Sequence, residues 1–246
     1  MNLKSGEAVI FTDGSSRGNP GPGGWGAVVV YNDGKLKVAE LGGRENHTTN
    51  NRMELQAAIN SLGFLSKVNC QLSIVVYSDS SYVVNGITKW VFGWRKNNWI
   101  TSAKTPVENR DLWKKLLELT TIYRSILWKQ VGGHVGVAGN ERCDEIATAF
   151  ADGENPPIYF GPIEEYSVGD ILDIKENTEI AKTKSASKSH SRAKAYSYVS
   201  VVNGKIQTHQ TWNECEARVK GASGAKFKKA ISARQEKEII AGWSHE

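Results

Sequence analysis

The sequence predicts an α/β fold, a mixed five-stranded sheet flanked by helices, with a small α+β unit at its C-terminal end. Three observations carry this. Strand-like runs open the chain as a block of three and then alternate with helical periodicity, in the order βββαβα…αβα. The prolines Pro156-Pro157 interrupt the pattern, and a stretch rich in Lys, Ser and Ala without periodicity runs from Lys182 to Lys194. A second set of strand and helix signals then occupies residues 195–246.

The first strand and the turn leaving it are read over Ala8 to Ser15. Alternation puts Val9, Phe11 and Asp13 on one face, so a carboxylate continues an apolar row. A glycine-rich stretch, Gly14 to Gly24, is read as a loop that lets another backbone come close to Asp13. Trp25 to Tyr31 forms the second strand, and Asn32-Asp33-Gly34-Lys35 supplies hairpin chemistry into a third over Leu36 to Leu41. Asn51 to Leu65 has helical period, with Leu55, Ala58, Ile59 and Leu62 on one stripe and Glu54 at its flank. Leu72 to Tyr77 returns to a strand, ending in Ser78-Asp79-Ser80 before a helical Ser81 to Val84. From Gly86 to Lys104 there is no acid. Lys89, Arg95, Lys96 and Lys104 alternate instead with Trp90, Trp94 and Trp99, as in a groove that follows a phosphate backbone, although tryptophans at such spacing also serve as core. The helix Arg110 to Tyr123, the strand Ile126 to Val131, a glycine-hinged loop around His134 and the helix Asn140 to Ala151 complete the sheet, with strand 1 at its centre. Residues 158–181 are acidic with scattered apolar side chains, and the sequence assigns them no place.

The C-terminal unit reads as a hairpin, Tyr196 to Val202 and Lys205 to Gln210, around Asn203-Gly204. The helix Trp212 to Val219, a glycine turn at Gly221 to Gly224, the strand Ala225 to Ala230 and a final helix from near Ser232 follow. Charge is unevenly divided. Lys+Arg against Asp+Glu stand at 17 to 14 in residues 1–152, 1 to 7 in 153–181 and 13 to 5 in 182–246. A basic excess confined to one end points to a polyanionic partner, nucleic acid before others. No run approaches the ~18 apolar residues of a membrane span, which excludes a helical membrane protein. The first residues run straight into strand 1 without a signal peptide, and the three cysteines, Cys70, Cys143 and Cys215, are far apart. A cytoplasmic location and a monomer are the expectation.

Four carboxylates, Asp13, Glu54, Asp79 and Asp144, stand on different elements near strand ends or helix flanks. Two have ordinary structural readings: Asn51 and Glu54 have the spacing of a capping box, and Asp79 could cap the helix it precedes. If the four converge, each pair about 4 Å apart repels by about 4 kcal/mol at an effective dielectric of 20. Protonation or a multivalent cation relieves that. Oxygen ligands without nearby Cys or His favour Mg²⁺ or Mn²⁺ over zinc. Two such ions roughly 4 Å apart suit metal-assisted phosphodiester hydrolysis. His134 could move a proton at the leaving group, or could be an ordinary surface histidine.

These residues resemble type 1 ribonuclease H of the bacterial kind. The resemblance is carried by Thr12-Asp13-Gly14-Ser15, Gly18-Asn19-Pro20-Gly21-Pro22-Gly23-Gly24, Thr49-Asn50-Asn51-Arg52-Met53-Glu54-Leu55, Ser78-Asp79-Ser80 and Gly139-Asn140-Glu141-Arg142-Cys143-Asp144-Glu145. It implies the ribonuclease H-like sheet, with Asp13, Glu54, Asp79 and Asp144 as ligands of two Mg²⁺ (or Mn²⁺) ions and His134 as a mobile histidine that helps product leave. It further implies Asn19, Asn50, Asn51 and Asn85 in the minor groove of an RNA/DNA hybrid, Thr49 near a DNA phosphate, and Trp90 and Lys96 in the basic protrusion. The C-terminal unit resembles the hybrid-binding (viroplasmin-like) domain that eukaryotic members carry at the opposite end. Here the match lies in Tyr198, Thr211-Trp212-Asn213-Glu214-Cys215 and Ala225-Lys226-Phe227-Lys228-Lys229. That likeness implies Trp212 and Phe227 stacking on DNA sugars beside Tyr198, with Lys228 and Lys229 on phosphates.

The expected organisation is therefore a catalytic domain over 1–153, an acidic segment and basic flexible linker over 154–194, and a hybrid-binding domain over 195–246. The expected activity is endonucleolytic cleavage of the RNA strand of RNA/DNA hybrids, leaving 3′-hydroxyl and 5′-phosphate ends. A catalytically inactive hybrid-binding protein is the alternative from another class. A transposase- or integrase-type nuclease on the same sheet is a second rival, against which the asparagines suited to 2′-hydroxyls argue.

Overall fold

A computed structural model of the 246-residue chain describes residues 3–68, 71–132, 136–174, 195–202, 204–222, 224–230 and 232–243. The chain divides into two compact units, Met1–Asn177 and Thr178–Glu246. The expected linker over 182–194 and the turn residue Asn203 lie outside the described residues.

The first unit is a six-stranded mixed sheet in the order β5-β4-β1-β2-β3-β6. Its strands are β1 (Glu7–Ser16), β2 (Gly21–Asn32), β3 (Leu36–Thr48), β4 (Ser73–Ser78), β5 (Ser125–Gln130) and β6 (Phe160–Pro162). β1 is central, antiparallel to β2 and parallel to β4, which in turn is parallel to β5. Helices cover both faces: α1 (Asn50–Val68) and α4 (Arg110–Thr120) on one, α5 (Ala138–Asp152) on the other. Alternation along β1 sends Ala8 and Ile10 into the α1/α4 core and Val9 and Phe11 into the α5 core. Burial on both faces explains why the strand reads as a continuous apolar run.

The structure changes one expectation about the glycines. The stretch from Gly14 to Gly24 is mostly strand: β1 runs on through Asp13 to Ser16, β2 begins at Gly21, and only Arg17 to Pro20 turns the chain, with Asn19–Pro20 cis. These glycines are flat places on which helices land. A Cβ on Gly24 would strike the Ala147 carbonyl and one on Gly26 the Cys143 carbonyl, so α5 lies directly on the β2 backbone.

Residues 158–174, to which the sequence assigns no place, pack on the same unit. β6 pairs antiparallel with β3 over Lys37 to Ala39 and makes the sixth strand. Ile171 is buried, with Tyr159, Ile163, Tyr166, Leu172 and Ile174 packed against the α5 core.

The basic stretch forms α2 (Ser81–Asn85), one π-helical turn (Gly86–Trp90) and α3 (Val91–Lys96). Its tryptophans separate by burial. Trp99 is core, with Lys114 Nζ 5.9 Å from its ring centroid, and Trp94 packs 5.5 Å from Trp113. Trp90 remains 41 % exposed.

The second unit is a three-stranded antiparallel sheet, β8-β7-β9, formed by β7 (Ser197–Val202), β8 (Lys205–His209) and β9 (Lys226–Ala230), with helices α6 (Trp212–Val219) and α7 (Ala233–Trp243). Thr211 and Glu214 form the capping box that starts α6. Val199, Ala230 and Ile239 make its small core.

Candidate active site

Asp13, Glu54 and Asp79 come together from β1, α1 and the end of β4. Each offers a carboxylate oxygen, and these oxygens lie within 4.8 Å of one another. The close approach of α1 to β1 makes this possible. A Cβ on Gly14 would overlap the backbone at Met53 and Glu54, so the residue after Asp13 has to be glycine for Glu54 to stand beside it. Both structural readings of the acids give way to other caps. The Thr49 hydroxyl accepts from Arg52 N at 3.4 Å at the start of α1. Ser80 Oγ accepts from Val83 N, also at 3.4 Å, at the start of α2. Glu54 and Asp79 are thereby left to the cluster.

The fourth acid, Asp144 on α5, lies close enough for its charge to raise Asp13, though it stands outside the three acids whose oxygens lie within 4.8 Å of one another. Burial, the Asp79 charge and Asp144 push the Asp13 carboxyl up to about 8, against the lowering effect of the Gly14 N–H, which donates to Asp13 Oδ1 at 2.8 Å. Burial, followed by the charges of Asp13 and Asp79, also raises Glu54 well above the usual carboxylate range. Asn50 Nδ2 donates to Glu54 Oε1 at 3.4 Å, while Glu54 Oε2 is buried without a hydrogen-bond partner. Crowded, desolvated acids with an unsatisfied buried oxygen have the donor chemistry of a hard divalent-cation site, and the residues present fit such an ion.

The predicted substrate residues fall in two places. Asn19, Thr49 and Asn50 adjoin the acids, with Asn19 Oδ1 accepting from Asn50 N at 3.3 Å. Asn51 occupies the first turn of α1. Asn85 closes α2, where its amide bonds Ser81 O at 2.7 Å and accepts from Lys89 Nζ at 2.7 Å. Trp90 and the exposed Lys96 lie beyond it on the basic stretch, beside Phe92, which is more exposed than Trp90 and which the sequence reading passed over. His134 lies outside the described residues. In the second unit, Trp212 packs 5.6 Å from Tyr198 and 5.1 Å from Phe227, ring centre to ring centre. Alternation along β9 puts Phe227 and Lys229 on the face of Tyr198 and turns Lys228 to the other.

A buried acid outside this cluster, Glu40 on β3, went unnoticed in the sequence. Burial alone would raise it, but hydrogen bonds from Arg142, Tyr166 and the Tyr159 N–H outweigh that and hold it below the usual carboxylate range. An acid inside the apolar run Leu36 to Leu41 was the signal that could have found it.

Comparison with known proteins agrees with this fold. The RNase H family model matches residues 5–152, and the model described as the Ribonuclease H1 N-terminal domain matches residues 200–233. The Ribonuclease H of Cyanothece sp. (strain PCC 7425 / ATCC 29141) is 51 % identical over 153 residues, covering 61 % of this chain and 92 % of that protein. That of Zymomonas mobilis subsp. mobilis (strain ATCC 31821 / ZM4 / CP4) is 51 % identical over 143 residues, covering 58 % and 87 %. Among solved structures, LC9-RNase H1, described as a type 1 RNase H with the type 2 active-site motif, superposes with a TM-score of 0.57 at 26 % identity. That match covers 74 % of this chain and 87 % of the other.

Proposed function

The chain belongs to the RNase H family and is an enzyme of it; on that premise we propose that it cleaves the RNA strand of RNA/DNA hybrids internally, using two divalent ions and leaving 3′-hydroxyl and 5′-phosphate ends. The observation that carries the reading is the meeting of Asp13, Glu54 and Asp79, with Asp144 near enough to act on Asp13 and one Glu54 oxygen buried and unpartnered. These four side chains would hold the ions, Mg²⁺ first and Mn²⁺ as a substitute. When bound, such ions supply Lewis acidity to the scissile phosphodiester and an acidified water.

The protein's own groups account for the rest. Asp13 and Glu54 would give up the protons that burial and the neighbouring charges make them keep, so loading the site would release protons. Asn19, Asn50, Asn51 and Asn85 carry amides that both donate and accept, the match for 2′-hydroxyls present on the RNA strand alone, and Thr49 reaches a DNA phosphate. Trp90 and Lys96 hold the backbone further along. His134 moves a proton as product leaves. In the second unit, Trp212 and Phe227 stack on sugars beside Tyr198 and Lys229 holds a phosphate from the same face, contacts that read no bases and so suit any hybrid sequence, while Lys228 stands on the other face of β9. A monomer working in the cytoplasm completes the proposal.

Labelled RNA/DNA hybrid, duplex RNA and duplex DNA offered side by side, with and without Mg²⁺, test it. Cleavage confined to the RNA of the hybrid and dependent on Mg²⁺ is expected. Asp13→Asn should lower it by more than about a hundredfold, since even partners behind metal ligands cost 10- to 100-fold, while leaving hybrid binding within a few-fold. Cleavage of duplex DNA, or full activity in Asp13→Asn, would overturn the proposal.

A further inference from the structure

Glu40 is 4 % exposed, yet each of its oxygens accepts two hydrogen bonds. Oε1 takes Arg142 Nε at 2.7 Å and the Tyr166 hydroxyl at 2.7 Å. Oε2 takes Arg142 Nη2 at 3.0 Å and the Tyr159 backbone N–H at 2.9 Å. The same guanidinium donates to Glu145 at 2.9 Å and to the Pro157 carbonyl at 3.0 Å. One buried carboxylate thus joins β3, α5 and the segment after α5. Two of its four donors come from residues beyond the 5–152 span that the RNase H family model matches.

α5 packs Cys143 and Ile146 against Phe11, Val28 and Val30, and it meets bare β2 backbone at Gly24 and Gly26; to this apolar contact Arg142 adds a polar tie to β3. Arg142 and Asp144 are two residues apart, about 200° around the helix. Held at Arg142, the helix presents Asp144 toward Asp13. Side-chain atoms stand about 5–6 Å from the axis, so a roll of about 10° would carry the Asp144 carboxylate about 1 Å. A displacement of that size near the reacting atoms costs on the order of 10²-fold.

We propose that Glu40, Arg142 and Tyr166 are positioning residues that set the roll of α5, and through it the placement of Asp144 against Asp13, so that the segment following α5 tunes the metal affinity of the site. The inference rests on Asp144 being a metal ligand.

Two full-length variants separate positioning from bulk stability. Tyr166→Phe removes a hydroxyl bonded to Glu40, and Tyr159→Phe removes one bonded to the Pro162 carbonyl at 2.6 Å, leaving the Tyr159 backbone bond to Glu40 in place. Mn²⁺ binding, followed without substrate through the free-ion paramagnetic resonance signal, should weaken about tenfold in Tyr166→Phe, the low end for partners behind ligands. It should stay within about twofold of the parent in Tyr159→Phe. The Mg²⁺ concentration for half-maximal cleavage of a labelled hybrid should move in parallel. Equal shifts in the two variants, or a lowered melting temperature in Tyr166→Phe with metal affinity unchanged, would overturn the positioning role alone. Unchanged Mn²⁺ affinity and cleavage in Asp144→Asn would instead overturn the reading of the site, and the positioning role with it.

Discussion

Asp13 holds its proton to about pH 8 because burial and the neighbouring acids disfavour its charge. This has a consequence for the metal-free protein. A carboxyl whose folded value is raised adds no penalty below its ordinary value of 3.8. Between there and about pH 8 the folded state binds more protons than the unfolded one, so stability falls as pH rises. Thermal melts in a chelator should show the melting temperature declining across that window. Asp13→Asn should flatten the decline, and Mg²⁺ should offset it most strongly at the alkaline end. At this scale the sequence was largely legible: the acids sit in short runs such as Thr12-Asp13-Gly14-Ser15 and Ser78-Asp79-Ser80, where residue type and neighbours suffice. Glu40 showed only as an acid in an apolar run; its partners Arg142, Tyr159 and Tyr166 were not legible, because they lie over a hundred residues away.

Among the elements, the glycine-rich stretch and the tryptophan-rich stretch show where local reading failed. Glycine favours turns when taken alone, but in β2 it is used because α5 needs bare backbone beneath it, a demand set by another part of the chain. Interleaved tryptophans gave no sign of which would be buried. Trp113 on α4 takes Trp94, Lys114 covers Trp99, and Trp90 keeps an open edge. In the loop that follows, Lys104 is exposed at φ +61°, a left-handed conformation that costs an ordinary side chain about 1–2 kcal/mol. Lys104→Gly should relieve that cost, less the extra freedom glycine gives the unfolded chain, for a net gain of about 0.5–1 kcal/mol. Denaturant midpoints at unchanged slope measure it.

At the level of the whole molecule, an RNase H unit and a second unit with its own aromatic cluster share one chain. Two sites on one chain raise the effective concentration of each for a long hybrid. Removing residues 182–246 should weaken binding to long hybrids by about a hundredfold and reduce cuts per encounter, while leaving single-cut rates on short hybrids near those of the full chain. Cuts per encounter, read from product lengths with excess unlabelled competitor, check it; unchanged processivity would remove the tethering role. The two-part plan showed in the sequence as an uneven distribution of charge. The sixth strand did not show there, since three residues of β6 leave no periodicity to detect.

That short strand shapes how the protein behaves among its own copies. An uncovered β3 would offer the backbone of Lys37 to Ala39 to any passing chain, and sheets left open in this way grow by adding neighbours. β6 occupies those positions and then stops at Pro162, which has no N–H to offer onward. The protein thereby gains a blunt margin at these positions in place of a template for polymerisation.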